Sequence, residues 1–206
     1  EVGHTLGLRH NFKSSSIYSL AQINSDEWKG NRPLGGSVMD YLPPNFNMES
    51  GEVQGDFAMI GIGPYDYWAI EYGYTFGDTK DVLARVNEPE LVYLTDDDTG
   101  GPDPLARRYD FSADPLEYAE NQMRIVDAHR TSVIDSFVKD GESRSRARRG
   151  YERTLSAQIR AISMMSGWIG GTNVSRNRKG DPDGTPPLQA IDPGKQRKAL
   201  QFIYDR

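Results

Sequence analysis

The sequence predicts a mainly α-helical protein, with a mixed α+β fold as the alternative class. Two long segments, 114–139 and 143–166, repeat apolar residues at the spacing that places them on one face of a helix. A shorter helical segment covers 196–204. Strand-like composition is confined to two brief segments, 90–94 and 168–171. Helices therefore dominate the predicted fold.

The composition limits the class of protein. The 206 residues are enough to bury a core in one or two domains, and 21 glycines with 12 prolines predict many loops. The net charge of -6 argues against nonspecific binding to nucleic acid. No stretch approaches the roughly 18 apolar residues that a membrane span needs. Because it has no cysteine, the chain forms no disulfide and offers no thiolate to a metal.

The first ten residues, EVGHTLGLRH, place Glu1, His4, Gly7 and His10 in the pattern E-x-x-H-x-x-G-x-x-H. With a histidine directly before Glu1, this pattern resembles the zinc-binding motif H-E-x-x-H-x-x-G-x-x-H of the metzincin metallopeptidases. A single histidine in an apolar stretch is ordinarily a packing residue, but four matched positions favour a metal site. The resemblance implies a zinc-dependent enzyme that hydrolyses peptide or protein substrates.

The spacing of the motif suits this chemistry. Residues four apart lie on one helix face, so the position before Glu1 and His4 would direct two imidazoles at one ion. Gly7 stands where the helix can end on a left-handed residue, after which the chain can bring His10 back as the third ligand. Glu1 would act as general base on water, and the open zinc position would admit substrate.

A second segment, Ser37-Val38-Met39-Asp40-Tyr41, resembles the metzincin Met-turn. The resemblance implies that Met39 forms an apolar floor beneath the histidines, where a thioether packs adaptably. Taken alone, Met39 would be interpreted as an ordinary core residue. Tyr41 resembles the tyrosine that ligates the metal or stabilises the oxyanion in two metzincin branches, and an uninvolved tyrosine is an equal alternative.

The first ligand of the motif would be the residue before Glu1. We therefore expect the 206-residue chain by itself to bind zinc weakly or not at all and to lack peptidase activity. Asn11, directly after the third histidine, matches none of the best-known metzincin branches. Together with the Met-turn segment, His10-Asn11-Phe12 is instead similar to a bacterial group of large zinc-dependent peptidases. That resemblance is strong over 1–76 and implies export from the cell.

Residues 14–58 are polar and mostly irregular, and a loop of this length would form the lower wall of a substrate cleft. A helix is predicted from Pro64, in its first turn, to Gly73 at its end. The resemblance to metzincins places this helix behind the Met-turn.

Residues 77–113 are predicted to be a connector, with a short helix over 78–86 and the brief strand at 90–94. The segment Asp96–Asp103 crowds carboxylates onto a glycine loop, and oxygen-rich loops of this kind can hold calcium. It lacks the spaced ligands of an EF-hand, so a solvated turn is the favoured interpretation.

The C-terminal region is predicted to contain an antiparallel helix pair. Asp114 and Pro115 form a start signal for its first member. Helical spacing predicts packing faces at Leu116, Ala119, Met123, Val126, Val133 and Phe137 on the first helix and at Tyr151, Leu155, Ile159 and Ile162 on the second.

Other polar features of this region are predicted to lie at the surface. Arginines 144, 146, 148 and 149 could contact nucleic acid or an acidic partner, but Glu142 and Glu152 beside them favour a solvated helix face. His129 has no ligand-type neighbour at helical spacing and is predicted to be a surface or packing residue. Residues 173–194 are predicted to be a polar loop.

The sequence thus predicts two regions. Residues 1–76 would be the C-terminal part of a metzincin catalytic domain, and residues 77–206 a connector followed by a helical extension. An alternative function of another class is a non-catalytic helical interaction or structural module joined to a degenerate peptidase half. The residue that precedes Glu1 discriminates the two, because a histidine there supports the enzyme.

Overall fold

A computed structural model describes residues 1–48, 53–181 and 184–206. Helices in this part of the chain are α1 (Val2–Thr5), α2 (Leu20–Ile23), α3 (Pro64–Tyr74), α4 (Lys80–Ala84), α5 (Pro115–Phe137), α6 (Ser145–Ser166) and α7 (Pro193–Tyr204). Strands β1 (Thr172–Val174) and β2 (Leu188–Ala190) pair, and 3-10 turns cover Ser14–Ser16, Pro89–Leu91 and Asp96–Asp98. The predicted mainly α fold is confirmed. The predicted loops at 14–58 and 173–194 include residues 49–52 and 182–183, which lie outside the described residues.

The longer helices start at the signals that the sequence carries. Pro64 opens α3, where its fixed φ suits the first helical turn and its missing N–H costs no hydrogen bond. The carboxylate of Asp114 accepts a hydrogen bond from the Leu116 amide at 3.1 Å and caps α5. Asp192 caps α7 in the same way, so this helix begins slightly before the predicted position 196. The helix predictions at 64–73, 114–139 and 143–166 are confirmed within a few residues.

Both strand predictions are wrong. At 90–94 the chain forms a 3-10 turn and then runs extended without a strand partner among the described residues. Carbonyl groups of this segment accept hydrogen bonds from the two residues that follow the motif. The Asn11 side chain donates to Val92 and the Phe12 amide donates to Leu94, both at 2.8 Å. At 168–171 the chain turns sharply after α6, with Gly170 at a φ of 71°.

The small sheet lies later in the chain than predicted. β1 and β2 pair antiparallel, with Asn173 opposite Gln189. β2 therefore falls inside the segment that was predicted to be a polar loop.

Helices α5 and α6 pack as the predicted antiparallel pair, with the end of α5 beside the start of α6. A Cβ atom on Gly150 would lie 2.7 Å from Val133 and 3.0 Å from Phe137, so the two backbones approach closely at this glycine. The predicted packing face of α6 is wrong at Tyr151, Leu155 and Ile159, whose side chains are exposed. The buried positions of α6 are instead Ala147, Gly150, Thr154, Ala161, Met164 and Met165.

One hydrophobic core contains residues from both predicted regions. The N-terminal region contributes Tyr18, Leu20, Ile23, Trp28 and Leu34. The rest of the chain contributes Phe111, Tyr118, Ala119, Met123, Val126, Ala161, Met164, Met165, Trp168, Ile191, Ala199 and Phe202. The domain boundary at residue 76 stays a prediction, and the packing joins the two sides of it.

The surface of the helix pair carries the predicted charges. Arg146 pairs with Glu142, and Arg148 pairs with Glu152 at 2.8 Å, each one helical turn away on a solvent-facing surface. His129 is exposed on α5, as predicted. Within the described ranges, no helix combines the length and apolar character needed to cross a membrane.

Backbone hydrogen bonds join the end of the connector to the N-terminal region. The Arg107 amide donates to the Phe12 carbonyl at 2.9 Å, and the Ala113 amide donates to the Tyr18 carbonyl at 2.8 Å. The Tyr109 amide donates to Tyr41, the last residue of the Met-turn segment, at 3.1 Å. Residues 107–109 therefore lie beside the predicted metal site although they are far from it in sequence.

Candidate metal centre

The motif begins on a short helix that ends at a left-handed glycine. α1 places His4 in its last turn, and Glu1 is exposed at its start. Gly7 has a φ of 87°, the conformation that glycine adopts most cheaply, so the predicted turn is confirmed. The Leu8 amide then donates back to the Gly3 carbonyl at 3.0 Å, and the reversed chain carries His10 toward α1.

This turn brings the two histidines together. The ring centroids of His4 and His10 lie 4.7 Å apart, and the ring planes are nearly perpendicular at 87°. Nδ1 of His4 lies 2.9 Å from the Leu8 carbonyl oxygen. Nδ1 of His10 lies 2.9 Å and 3.2 Å from the two carboxylate oxygens of Asp96. Each ring therefore uses its Nδ1 atom in a hydrogen bond within the protein.

The acceptors decide which ring nitrogen carries the hydrogen. A carbonyl oxygen cannot donate, so Nδ1 of His4 must be the donor. Burial raises the pKa of Asp96, but the hydrogen bond from His10 and the charge of Arg108 leave it below its ordinary value. Asp96 is thus an ionised acceptor, and Nδ1 of His10 donates as well. Each neutral imidazole then keeps Nε2 as its lone-pair nitrogen, the form in which histidine binds metals.

Met39 lies directly beneath α1 and is 4% exposed. A Cβ atom added to Gly3 would overlap the Met39 Sδ atom, so this glycine lets the thioether reach the helix that carries His4. The Met39 carbonyl accepts from the Asn11 amide at 3.1 Å, directly beside His10. The structure therefore places Met39 against the segments that carry both histidines.

The Met-turn segment is anchored to the start of α3 by a buried carboxylate. Asp66 accepts hydrogen bonds from the Ser37 hydroxyl, from the Val38 amide at 2.8 Å and from the Gly63 amide at 2.9 Å. The Ser37 oxygen in turn accepts from the Met39 amide at 3.0 Å. Helix α3 therefore stands behind this segment and fixes its backbone.

Tyr41 lies beside the third motif residue. Its ring centroid is 4.7 Å from that of His10 and 6.1 Å from that of Tyr109, on which it stacks. The Tyr41 side chain is 43% exposed. Tyr109 adopts a φ of 64°, a rare conformation for a residue other than glycine, and such strain is often found near functional sites.

The carboxylates of the acidic segment Asp96–Asp103 pair with side chains from other parts of the chain. Asp96 contacts His10 and pairs with Arg108 at 3.1 Å. The other pairs join Asp97 to Arg9, Asp98 to Arg176 and Asp103 to Lys13. The solvated-turn interpretation is therefore wrong for Asp98 and Asp103, whose side chains are 16% and 1% exposed, whereas the side chains of Asp96 and Asp97 stay exposed to solvent. The sequence could not show this, because the cations come from distant parts of the chain.

Several residues that support the site were missed in the sequence. Asn11 is fully buried and donates to Val92, while Arg108 places its guanidinium carbon 4.6 Å over the Phe12 ring. Gly3 and Asp66 support Met39 and the Met-turn segment. The only signal for Asn11 and Gly3 was their place inside or beside the motif, and Arg108 gave none.

The histidine pair fits part of a zinc site. A catalytic zinc takes three protein ligands, and neutral imidazole is among its preferred donors. In their neutral form, with Nδ1 as the donor, His4 and His10 supply two such donors through Nε2. Among the residues that the structure describes, no group of three or more His, Cys, Asp or Glu side chains is placed to hold a metal ion. The described chain therefore offers two matching ligands.

A comparison with protein families bears on this geometry. A family model described as Met-zincin matches residues 1–206. The chain belongs to the Met-zincin family. Membership supports a zinc metallopeptidase-like domain and implies zinc binding within the family. The match covers the helical region as well as the motif. No curated protein and no solved structure matches the chain.

A second cluster of ionisable groups lies beneath the Met-turn segment. Asp40 accepts from the Ser14 hydroxyl at 3.0 Å and from the Ser15 amide at 3.1 Å, while Asp110 accepts from the Ser15 hydroxyl at 3.1 Å. Burial raises the pKa of Asp40 to about 7. Burial and the nearby charge of Asp40 raise the pKa of Asp110 to about 8. Both carboxyl groups are therefore protonated to a larger extent near neutral pH than an exposed aspartate.

Proposed function

We propose that this chain carries part of the active site of a zinc-dependent endopeptidase that hydrolyses peptide bonds in peptide or protein substrates. One observation carries the proposal. The His4 and His10 rings lie 4.7 Å apart, and both donate through Nδ1, which leaves Nε2 for a metal. Under this proposal these histidines are two zinc ligands, and a histidine directly before Glu1 is the remaining one. Family membership supports the same chemistry.

The other site residues have distinct roles in the proposal. Bound zinc would supply Lewis acidity that polarises a substrate carbonyl and acidifies water. Glu1 would take the proton of the attacking water and deliver it to the leaving amine. Tyr41 would donate a hydrogen bond from its hydroxyl to the developing oxyanion. Met39 would hold the floor of the site through its packing beneath Gly3.

Zinc content tests the ligand assignment. The 206-residue chain and a longer polypeptide that includes the residues encoded before Glu1 are dialysed and analysed for metal. We expect stoichiometric zinc in the longer protein and little or none in the 206-residue chain. His4→Ala and His10→Ala should each abolish zinc retention in the longer protein, whereas His129→Ala, on exposed α5, should leave it unchanged. Zinc retained after both motif substitutions would overturn the assignment.

Casein cleavage tests the reaction. The longer protein should cleave casein, and a chelator should stop it. Glu1→Gln should lower kcat/KM by about 100-fold or more while zinc content stays the same, because a general base typically contributes 10²–10⁴-fold. Unchanged cleavage by Glu1→Gln would remove Glu1 from the proposed mechanism.

A non-catalytic interaction module is the second candidate function. The exposed apolar side chains Tyr151, Leu155 and Ile159 on α6 favour it, since such side chains are common at protein interfaces. It predicts a residue other than histidine before Glu1 and no zinc in the longer protein. The contact between Asp96 and His10 favours the peptidase over the interaction module. It shows that a residue from the region after position 76 lies at the candidate metal centre. Export from a bacterial cell stays a prediction.

A further inference from the structure

We propose that Asp96 is a positioning residue for His10, which it holds in the tautomer that leaves Nε2 free. The role of this tautomer in zinc binding rests on the proposed function, whereas the tautomer itself is a property of the chain alone. Asp96 would not touch substrate or metal in this scheme. It would act through the imidazole.

The contact between the two side chains has the geometry that such a role requires. Nδ1 of His10 lies within hydrogen-bond distance of both Asp96 oxygens, at 2.9 Å and 3.2 Å. The pair is partly buried, with the His10 side chain 18% exposed. The Asp96 side chain is 37% exposed, so the hydrogen bond lies at the edge of the protein surface. A carboxylate that accepts from a ligand histidine fixes the ring orientation and raises the basicity of the other nitrogen.

Asp96 is itself held on more than one side. Arg108 donates to Oδ1 at 3.1 Å, and Thr95 donates from its hydroxyl to Oδ2 at 3.5 Å. The following two residues are tied to other segments, Asp97 to Arg9 and Asp98 to Arg176. These contacts tie the 3-10 turn that carries Asp96 to three other segments of the chain, those of Arg9, Arg108 and Arg176.

The contacts close into a ring of four side chains. His10 donates to Asp96, Asp96 accepts from Arg108, and the Arg108 guanidinium lies 4.6 Å over the Phe12 ring. Phe12 stacks on His10 with centroids 4.9 Å apart and planes at 25°. Each member is therefore placed by two others. His4 has a weaker arrangement, because its acceptor is the neutral Leu8 carbonyl.

The direct test is nitrogen NMR of the histidine side chains in the 206-residue chain without metal. The ¹⁵N shifts distinguish a protonated from an unprotonated ring nitrogen. We expect His10 to be protonated at Nδ1 in the wild type. Asp96→Ala should shift it toward the Nε2-protonated form, and Asp96→Asn, whose amide oxygen can still accept, should give an intermediate population. Asp97→Ala, next in sequence but bound to Arg9, should leave His10 unchanged.

Two results would overturn the proposal. One is a wild-type His10 protonated at Nε2, and the other is a wild-type tautomer population in a folded Asp96→Ala variant. If alanine disrupts the turn, as judged by amide spectra, Asp96→Leu provides the comparison, since it keeps the branched shape of the side chain but accepts no hydrogen bond. An unchanged tautomer in Asp96→Leu would then count against Asp96.

Zinc affinity in the longer protein gives the second measurement. Loss of an outer hydrogen-bond partner typically weakens metal binding by about 10–100-fold, and we expect a loss in this range for Asp96→Ala and none for Asp97→Ala. The two proposals fail in different ways. A longer protein that binds no zinc while Asp96→Ala still changes the tautomer overturns the proposed function and leaves the positioning role intact. A His10 tautomer population that does not change in Asp96→Ala overturns the positioning role, whether or not zinc binds.

Discussion

The packing of Met39 beneath the candidate site depends on a single residue, Gly3. It lies in α1 above Met39, and the space for a side chain there is already filled by the methionine sulfur. The motif fixes glycine at position 7 but not at position 3, so sequence spacing gave no reason to select Gly3. Its role follows from the approach of two segments that lie far apart in the chain. Contacts of this kind arise only once the chain is folded.

Gly3→Ala should therefore destabilise the protein. The added methyl group must displace Met39, and overpacking of this kind costs about 1–3 kcal/mol. Chemical denaturation measures the change in the free energy of unfolding. Gly73→Ala is the matched control, because this exposed helical glycine has no atom within 4 Å of an added Cβ. We expect Gly73→Ala to be neutral or stabilising. A Gly3→Ala variant as stable as the Gly73→Ala control would contradict the packing described here.

Asp110 makes the stability of the fold depend on pH. Its pKa is raised to about 8 by burial and by Asp40, whereas an unfolded aspartate titrates near 3.9. Between these values the folded state binds more protons than the unfolded state, so stability falls as pH rises. The slope from one such group is at most about 1.4 kcal/mol per pH unit. Arg107 opposes the shift only in part.

Asp110→Asn should flatten this dependence, because the amide stays neutral at every pH. Relative to wild type, the variant should gain stability between pH 5 and pH 8. Thermal unfolding across this range measures the effect, with exposed Asp140→Asn as a control that keeps the wild-type slope. A wild-type slope in Asp110→Asn would show that the buried carboxyl group is not neutral in the folded protein.

At the scale of helices, local sequence signals predicted where each helix begins and ends better than they predicted which of its faces is buried. Asp114 and Pro115 marked the start of α5, and the turn at Gly7 followed from its place in the motif. In the first half of α6 the bulky residues Tyr151 and Leu155 were predicted to face the core, but the smaller residues Ala147, Gly150 and Thr154 are buried there instead. A periodicity rule weights large apolar side chains. Close helix packing is achieved by small ones, such as Gly150 against Val133.

The face of α6 can be tested by two truncations on the same helix. Leu155 is 40% exposed and Met165 is 1% exposed. Leu155→Ala should lower the free energy of unfolding by less than about 1 kcal/mol, and Met165→Ala should lower it by about 2–5 kcal/mol. Chemical denaturation of both variants measures the difference. A larger loss in Leu155→Ala would restore the face that the sequence predicted.

At the scale of the whole molecule, the helical region and the motif region share one core and one site. Trp28 and Trp168 pack in the same cluster from opposite sides of the predicted boundary. Asp96 reaches His10 across 86 positions of sequence. The motif predicted which residues gather around His4, but no local pattern could predict a partner so distant. The sequence was therefore informative about the motif residues and silent about what orients them.

A shared core predicts that both regions unfold together. In each of two single-tryptophan variants, one that retains only Trp28 and one that retains only Trp168, tryptophan fluorescence should give one denaturation midpoint for that variant. Far-UV circular dichroism should give that midpoint as well, because a cooperative domain has one transition for every probe. Two separated midpoints would indicate that residues 1–76 and 77–206 fold as independent domains.

The proposed zinc site requires above all that His4 and His10 converge on one metal ion. X-ray absorption spectroscopy at the zinc edge, on the longer protein loaded with one equivalent of zinc, tests this directly. In the wild type we expect a shell of nitrogen and oxygen with imidazole scattering from three histidines. In His4→Ala and in His10→Ala, which should no longer retain zinc, this imidazole scattering should be lost from the spectrum of the added zinc. A zinc spectrum that neither substitution changes would contradict the proposed site.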